Sequence, residues 1–245
     1  MDGNKGSWLL SKRRFLKRGA VGFREFLLKY TRFLGLKIAD ILVTLGYTIK
    51  TSHVFNNVDL KTCKRRSQYY DEVAKEFSLD TEKVSYLEFG VYKGDSLRYW
   101  LTRNTNSESR FHGFDTFTGL PEDWGHIPKG HFSTEGRLPT INDERCHFHV
   151  GLFQENLPGF INDNKNIFAD RLIVNIDADL YSSTLYVLIM LTDYLKSGDI
   201  LFFDEFFSIV NSASEFRAYL DYRSISTLDF KFIAKTTTHC ALQVV

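Results

Sequence analysis

The sequence predicts an α/β fold, in which a mostly parallel sheet is covered by helices on both faces. The stretch VSYLEFGVYKGDS, residues 84–96, has the pattern of a strand, a glycine turn and a helix start. Two apolar runs, RLIVNI at residues 171–176 and ILFF at residues 200–203, are typical of parallel strands buried on both faces. Acidic residues follow each run and a helical pattern comes next, which is the order found in β–α units.

Charge divides the chain into a basic front part and an acidic body. Residues 1–66 carry 15 Lys or Arg against 4 Asp or Glu, whereas residues 67–245 carry 16 against 26. Apolar residues also recur at helical steps between Phe23 and Ile49. We therefore predict two parts, a basic helical arm over residues 1–60 and an α/β domain over residues 61–245.

The arm has two interpretations. It is either an amphipathic segment in peripheral contact with a membrane, or a helix that packs on the domain or on a second copy in a homo-oligomer. The packing interpretation is the simpler one. Nucleic acid is not expected as a partner, because no recognised binding motif accompanies the charge.

The predicted location is the cytoplasm. The apolar run Ile38–Tyr47 contains Asp40, is too short to span a bilayer and begins too late for a signal peptide. Three scattered cysteines without a C-x-x-C pair favour a reducing compartment over a disulfide framework or a zinc site.

The remaining elements follow the α/β pattern with one exception. We expect a helix with a solvated charged face over residues 62–78, and further helices at residues 95–103, after the DADLYSST stretch and at residues 212–223. We expect further strands at residues 111–115 and 147–151, and a closing antiparallel hairpin formed by DFKFIA and CALQVV. The exception is the long stretch 116–145, whose aromatic and His residues favour an ordered lid over a ligand.

The glycine turn indicates the class of ligand. Gly90 and Gly94 allow a sharp turn and a close approach of a ligand to backbone amides. Glu88 gives the spacing E-x-G-x-x-x-G, which differs from the G-x-G-x-x-G of dinucleotide enzymes. A carboxylate there favours a cationic ligand such as S-adenosylmethionine over a pyrophosphate. Asp115, at the end of the second strand, is placed to bind ribose hydroxyls.

Acidic residues also end the other predicted strands. Carboxylates at the carboxyl tips of parallel strands converge on one crevice, and here they are Glu88, Asp115, Asp177, Asp179, Asp204 and Glu205. Oxygen ligands suit Mg²⁺, so Asp179, Asp204 and Glu205 are candidate metal ligands; the alternative is that they cap helices or pair with Arg. The candidate catalytic residues are Asp179, Glu205 and His126.

The motifs YLEFGVYKGDS, FHGFDTFTGLPEDWG, VGLFQENLP, NIDADLYSSTLYVL and GDILFFDEF resemble the macrocin O-methyltransferase (TylF-like) family of class I S-adenosylmethionine-dependent methyltransferases. The resemblance covers residues 84–245. It implies a Rossmann-like sheet of about seven strands with the last one antiparallel, and methyl transfer to a hydroxyl, often on a sugar. It also implies that Glu88, Gly90 and Gly94 hold the methionine part, that Asp115 holds the ribose, and that Asp179, Asp204 and Glu205 match metal-site positions.

The sequence thus predicts an S-adenosylmethionine-dependent O-methyltransferase, with Mg²⁺ as a candidate second cofactor. Its substrate would be a sugar or another small hydroxylated metabolite. The predicted cofactor contacts are Glu88, Phe89, Gly90, Gly94, Ser96, Asp115, Thr116, Gly151, Gln154 and Asp177. Two alternatives remain open: a nucleotide-sugar or NAD enzyme on the same sheet, and a membrane-docked binding module in which the arm is the active part.

Overall fold

The structure, a computed structural model, describes residues 42–43, 45–60, 62–208 and 214–245. The chain divides into two compact units, residues 1–46 and residues 47–245. The predicted basic arm over residues 1–60 therefore lies mostly outside the described residues, as does most of its helical pattern. Residues 47–57, at the start of the second unit, are helical. In the described part of the chain, no helix has both the length and the hydropathy needed to cross a bilayer.

A seven-stranded sheet forms the centre of the second unit, with the spatial order β3-β2-β1-β4-β5-β7-β6. The strands are β1 (Val84–Phe89), β2 (Arg110–Asp115), β3 (Cys146–Val150), β4 (Arg171–Ile176), β5 (Ile200–Phe203), β6 (Phe230–Lys235) and β7 (Cys240–Val244). The first five strands pair in parallel, while β7 runs antiparallel to both β5 and β6. This confirms the predicted sheet with its reversed last strand. The order also reverses between β1 and β4, which leaves a crevice at their carboxyl ends.

Besides the helical segment 47–57, the described residues contain these α-helices around the sheet: α1 (Arg66–Glu76), α2 (Asp95–Arg103), α3 (Phe153–Asp163), α4 (Tyr181–Leu191) and α5 (Ser214–Ile225). Short 3₁₀ helices at Lys165–Ala169 and Thr192–Tyr194 follow α3 and α4. The helix predicted over residues 62–78 is shorter than expected at its start. The reason is that Thr62 forms a bridge with Lys235, and the Cys63 amide donates to the Lys235 carbonyl at 2.8 Å. Residues 212–213 of the predicted last helix lie outside the described residues.

The core lies on both faces of the sheet. Leu87, Phe89 and Phe203 point into a cluster formed with α3, α4 and α5, whereas Tyr86 and Phe202 point into a cluster formed with α1 and α2. All of these side chains are fully buried. Because both faces of the sheet are covered, all four residues of β5 (ILFF) are apolar and buried. Each buried aromatic side chain contributes about 1.5–3 kcal/mol.

A buried lysine ties the helical segment 47–57 to the sheet. Lys235, at the end of β6, is 5% exposed, and its ammonium donates to the carbonyls of Phe55 and Val58, both at 2.8 Å. Tyr47 adds a hydrogen bond from its hydroxyl to Asp221 of α5 at 3.2 Å. These contacts make the segment an integral part of the second unit.

The stretch 116–145 contains no helix or strand, but it is held by specific contacts. The Gly130 amide donates to the Leu120 carbonyl at 2.9 Å, and the Leu120 amide donates to the His131 carbonyl at 2.9 Å. Trp124 is buried and donates from Nε1 to Ser214 Oγ of α5 at 3.2 Å. The loop is therefore ordered, as its aromatic content predicted.

Candidate active site at the carboxyl edge of the sheet

A cavity of about 600 Å³ opens at the carboxyl ends of the central parallel strands. Its wall is formed by the turn after β1, the end of β2 with the following loop, the start of α3 and the tips of β4 and β5. Of the predicted site residues it includes Gly90, Asp115, Thr116, Gln154, Asp177, Asp179, Asp204 and Glu205. The cavity lies where the strand order reverses, which is the usual ligand position in open α/β sheets.

Gly90 is required by the geometry of the turn after β1. Its φ is +92°, and a Cβ there would lie 1.8 Å from the carbonyl oxygen of Asp177. Hydrogen bonds also join the adjacent backbone: the Asp177 amide donates to the Phe89 carbonyl at 2.9 Å, and the Gly90 amide donates to the Phe114 carbonyl at 3.0 Å. Only glycine fits this position, and the tips of β1, β2 and β4 are thereby locked together beside the cavity.

Asp115 braces the same turn from the end of β2. Its Oδ2 accepts hydrogen bonds from the amides of Val91 at 2.7 Å and Tyr92 at 2.8 Å, and its Oδ1 accepts one from Phe117 at 2.7 Å. Tyr92 and Phe117 both have left-handed backbones, with φ of 50° and 56°, so the carboxylate holds two strained loops in place. Oδ1 keeps a free acceptor position, and the predicted ribose contact stays a prediction.

Several predicted cofactor contacts lie behind the cavity wall instead of in it. Glu88 is 1% exposed, it accepts a 2.6 Å hydrogen bond from the Tyr86 hydroxyl, and burial raises its pKa to about 8. Gly94 precedes α2 with φ of +78°, and Ser96 is buried in the first turn of that helix. Phe89 lies in the core, and Gly151 donates to the Asp115 carbonyl at 3.0 Å. These residues support the wall, and their direct contact with a ligand stays a prediction.

Two carboxylates at the tips of β4 and β5 share one arginine. Arg66 Nη2 lies 3.1 Å from Asp177 Oδ2 and 3.1 Å from Asp204 Oδ1. His239 Nε2 lies 2.7 Å from the same Asp204 oxygen. Burial opposes ionisation, but the His239 ring and the Arg66 guanidinium hold the pKa of Asp204 below its usual value, while burial and Asp204 raise the pKa of Asp177. The expectation that the charged positions of this helix are only a solvated face is wrong for Arg66.

The candidate metal ligands Asp179, Asp204 and Glu205 all line the cavity. Within the described residues, however, no group of three or more His, Cys, Asp or Glu side chains is placed to hold a metal ion. Asp204 is also already paired with Arg66 and His239. In this arrangement the residues do not fit a magnesium site, because the cation beside Asp204 is a guanidinium.

Asp179 has the properties of a general base. It lines the cavity, and its backbone is left-handed with φ of 57°, a conformation that Asp adopts more readily than most residues. Burial, followed by repulsion from Glu205, Asp204 and Asp115, raises the pKa of Asp179 to about 7. A carboxyl group with a pKa near 7 both loses and accepts a proton readily at neutral pH.

A buried acid lies behind Glu205. Glu215 of α5 is fully buried, and its Oε2 accepts a hydrogen bond from the Glu205 amide at 2.9 Å. Burial, reinforced by Asp204, raises the pKa of Glu215 well above its ordinary value. Burial also raises the pKa of Glu205. Glu205 is therefore a second carboxyl at the cavity that can hold a proton.

The structure does not bring His126 to the cavity. Trp124 and Ile127 form an isolated bridge with reciprocal backbone hydrogen bonds, and His126 stands exposed in the tight turn between them. The loop instead presents Leu120, Trp124 and Phe132 to the cavity. The catalytic role predicted for His126 has no geometric support, because its side chain is on the solvent side of the loop.

The cavity wall is acidic. The carboxylates that line it are Asp115, Glu122, Asp177, Asp179, Asp204 and Glu205. Among the described residues, no Lys, Arg or His lines it, although Arg66 and His239 contact Asp204 from behind. Such a wall suits a cationic or hydroxyl-rich ligand, and repels a phosphate.

Three residues that organise the site were missed from the sequence: Arg66, Glu215 and His239. One signal was present, since the converging tip acids require compensating cations. The sequence did not indicate which cation, because 111 positions separate Arg66 from Asp177.

Residues 87–206 match the model of a family described as a methyltransferase domain. The match begins within β1 and ends just after β5, so it includes the strand tips and the loop that form the cavity. It supports a methyltransferase domain, and it does not single out the macrocin O-methyltransferase resemblance among methyltransferases. No curated protein matches the chain in sequence.

Solved structures are similar in fold. One is CalS11, a calicheamicin methyltransferase, at 21% identity and a TM-score of 0.56, covering 81% of this chain and 91% of that chain. Its apo structure, described as a TDP-rhamnose 3′-O-methyltransferase, gives 20% identity and a TM-score of 0.51, with 81% and 93% covered. The O-methyltransferase NovP gives 20% identity and a TM-score of 0.50, with 72% and 76% covered. At these identities the likeness establishes the class I methyltransferase fold.

Proposed function

We propose that the protein transfers a methyl group from S-adenosylmethionine to a hydroxyl of a sugar or another small hydroxylated metabolite. The observation that carries the proposal is the acidic cavity at the point where the strand order of a class I methyltransferase sheet reverses. The match to a methyltransferase domain over residues 87–206 supports the same reaction class.

The cofactor half of the cavity lies beside the glycine turn. Gly90, Asp115 and Gln154 line it, so ribose hydroxyls would have the free acceptor position of Asp115 and the adenine edge would have Gln154. The cofactor carries a sulfonium and an ammonium group and no phosphate, which fits a wall of carboxylates. A pyrophosphate from NAD or a nucleotide sugar would meet repulsion there, so the alternative of an NAD or nucleotide-sugar enzyme is disfavoured.

The acceptor half lies beside the loop. Leu120, Trp124 and Phe132 offer apolar surface for the C–H faces of a sugar or similar metabolite, and Asp179 and Glu205 offer oxygens for its hydroxyls. The similar structures described as a TDP-rhamnose 3′-O-methyltransferase and an O-methyltransferase support transfer to oxygen.

The reaction is an in-line displacement at the methyl carbon. The acceptor oxygen forms a bond to that carbon, and the electron pair of the broken carbon–sulfur bond goes to sulfur, which leaves as a neutral thioether. Asp179 would take the hydroxyl proton, because its raised pKa, about 7, matches neutral operating conditions. The cavity wall aligns the two reactants, which supplies much of the rate in such a transfer.

A thermal-shift panel tests the proposal. S-adenosylmethionine and S-adenosylhomocysteine are expected to raise the melting temperature, whereas NAD is expected to leave it unchanged, since only ligands bound by the native state stabilise it. A nucleotide sugar is included in the panel as the ligand of the alternative enzyme. Asp115→Asn serves as the matched variant in which the cofactor effect is reduced. Stabilisation by NAD or the nucleotide sugar, without an effect of either sulfur compound, would contradict the proposal.

A further inference from the structure

We propose that Arg66 is the resident cation of the carboxylates at the tips of β4 and β5, and that it holds the position where a divalent metal ion would otherwise bind. The protein then binds no divalent cation at this cavity. This role of Arg66 at the strand tips does not depend on which acceptor the protein methylates.

Arg66 is held in place before any ligand arrives. It is the first residue of α1, and its Nε donates to the Tyr70 hydroxyl one turn later at 2.9 Å. The guanidinium carbon lies 5.6 Å from the centre of the Tyr70 ring, whose face favours a cation. The side chain is 33% exposed. The guanidinium is therefore fixed by its own helix and aimed at the strand tips.

Both carboxylates contact the same nitrogen of Arg66. Nη2 contacts Asp177 Oδ2 and Asp204 Oδ1, both at 3.1 Å. His239 reaches the same oxygen of Asp204 at 2.7 Å, and its Nδ1 is held by the hydroxyls of Thr236 at 2.6 Å and Thr238 at 3.0 Å. Asp204 Oδ1 thus has two nitrogen partners, both fixed by other contacts.

A divalent ion has no comparable place here. To bind Asp204 or Asp177 it would have to displace a fixed guanidinium or lie beside it, and like charges at contact distance repel. Of the other acids at these two strand tips, Asp179 and Glu205 also line the cavity. In the part of the chain that the structure describes, however, no group of three or more His, Cys, Asp or Glu side chains is placed to hold a metal ion.

Removal of Arg66 should therefore create a metal site. In Arg66→Ala, Asp177 and Asp204 lose their guanidinium partner, so their oxygens can join those of Asp179 and Glu205 around a cation, with His239 still beside Asp204. The experiment is a titration with Mn²⁺ alone, with free Mn²⁺ measured by electron paramagnetic resonance. The full-length wild-type chain is expected to show no saturable binding, and Arg66→Ala is expected to bind one Mn²⁺ saturably, with an affinity at least about tenfold above the detection limit of the wild-type titration.

Two variants make the titration specific. Arg66→Lys keeps a cation at this position and is expected to show no gain. Arg171→Ala is the matched control. Arg171 Nε pairs with Glu82 at 2.8 Å, and the Arg171 side chain is similarly buried, with 24% exposed. Arg171 begins β4, at the opposite end of the strand from Asp177, so the Arg171→Ala variant loses an ion pair away from the cavity and is expected to bind no Mn²⁺. Near-ultraviolet circular dichroism establishes that each variant is folded.

Two results would overturn the proposal. One is a folded Arg66→Ala that gains no Mn²⁺ affinity, and the other is saturable binding by the wild type that Asp204→Asn abolishes. The second result needs no Arg66 variant, so the proposal can be tested even if Arg66→Ala does not fold. Binding of S-adenosylhomocysteine is measured in parallel, so failure of the proposed methyltransferase function is seen separately.

Discussion

The α-carbon of Gly90 faces the carbonyl oxygen of Asp177 so closely that a methyl group at Gly90 would lie 1.8 Å from that oxygen. This contact joins the turn after β1, on the cofactor side of the cavity, to the tip of β4, which is followed by the candidate base Asp179. The turn after β1 and the tip of β4 are therefore packed directly against each other. The fold thereby sets the distance between the two halves of the site.

Gly90→Ala is expected to lower the free energy of unfolding by about 3 kcal/mol, because alanine adds a clash to a left-handed backbone. Binding of S-adenosylhomocysteine should fall with it. Gly159→Ala is the control: Gly159 lies within α3 with nothing within 4 Å of its would-be Cβ. Alanine there should stabilise the protein by about 0.5–1 kcal/mol. Equal stability of the two variants in urea denaturation would refute the close contact.

Asp115→Asn is expected to cost about 1–3 kcal/mol of stability. The reason is that the carboxylate accepts hydrogen bonds from three backbone N–H groups, and the side-chain NH₂ group of Asn would have to face at least one of them. Affinity for S-adenosylhomocysteine should fall at least about tenfold, since the turn beside the cofactor loses its brace. Asp95→Asn, whose side chain is 91% exposed, should change neither quantity appreciably. Calorimetry and urea denaturation measure the two effects, and unchanged cofactor affinity in Asp115→Asn would remove Asp115 from the site.

Asp179 should titrate near neutral pH. Burial, with repulsion from Glu205, Asp204 and Asp115, raises its pKa to about 7, so the group is mainly protonated below that pH and mainly ionised above it. A ¹³C carboxyl signal with a midpoint near pH 7 is expected by NMR, and it should vanish in Asp179→Asn while persisting in the control Asp193→Asn. Methyl transfer should rise with pH through the same midpoint, because a general base acts when ionised. A signal with an ordinary aspartate midpoint would contradict this assignment.

Stability should decrease in mild acid because of His112. Burial, followed by the neighbouring His149 and His147, lowers the pKa of His112 to about 3. The unfolded chain binds a proton at this residue below about pH 6.5 and the folded chain does not, so stability falls by about 1.4 kcal/mol per pH unit between about 6.5 and 3.

Urea denaturation at pH 7.0 and 5.5 measures this effect. His112→Phe should have a shallower pH dependence than the wild type, because it removes one proton-binding group from the unfolded chain. The exposed His126 provides the control for loss of a histidine, and His126→Ala should leave the stability at pH 7.0 unchanged. Identical pH dependence in His112→Phe and the wild type would show that His112 is not buried in its neutral form.

Those parts of the fold that depend on local pattern were predictable from the sequence. The apolar runs of β4 and β5 gave their bounds, and the change from strand to glycine turn to helix gave the start of α2. The reversed β7 was also expected, from a resemblance and from the hairpin pattern at the end of the chain. These features were accessible because neighbouring residues in the sequence determine them.

The site was only partly predictable, because its contacts join distant parts of the chain. The convergence of the tip acids follows from sheet topology, so Asp177, Asp179, Asp204 and Glu205 were found. The partner of two of them, Arg66, lies on a helix whose own pattern indicates only an exposed charged face. Strand periodicity places Tyr86 and Glu88 on the same face of β1, but it does not show that the Tyr86 hydroxyl bonds Glu88 behind the cavity wall.

The central claim is that the cavity binds S-adenosylmethionine, and calorimetric titration of the wild-type protein with S-adenosylhomocysteine tests it most directly. The account predicts saturable binding of one molecule with micromolar affinity, weakened in Asp115→Asn and the same with or without Mg²⁺. Absence of binding by folded protein at millimolar ligand would contradict the claim, and the sheet would then be a methyltransferase fold used for another purpose.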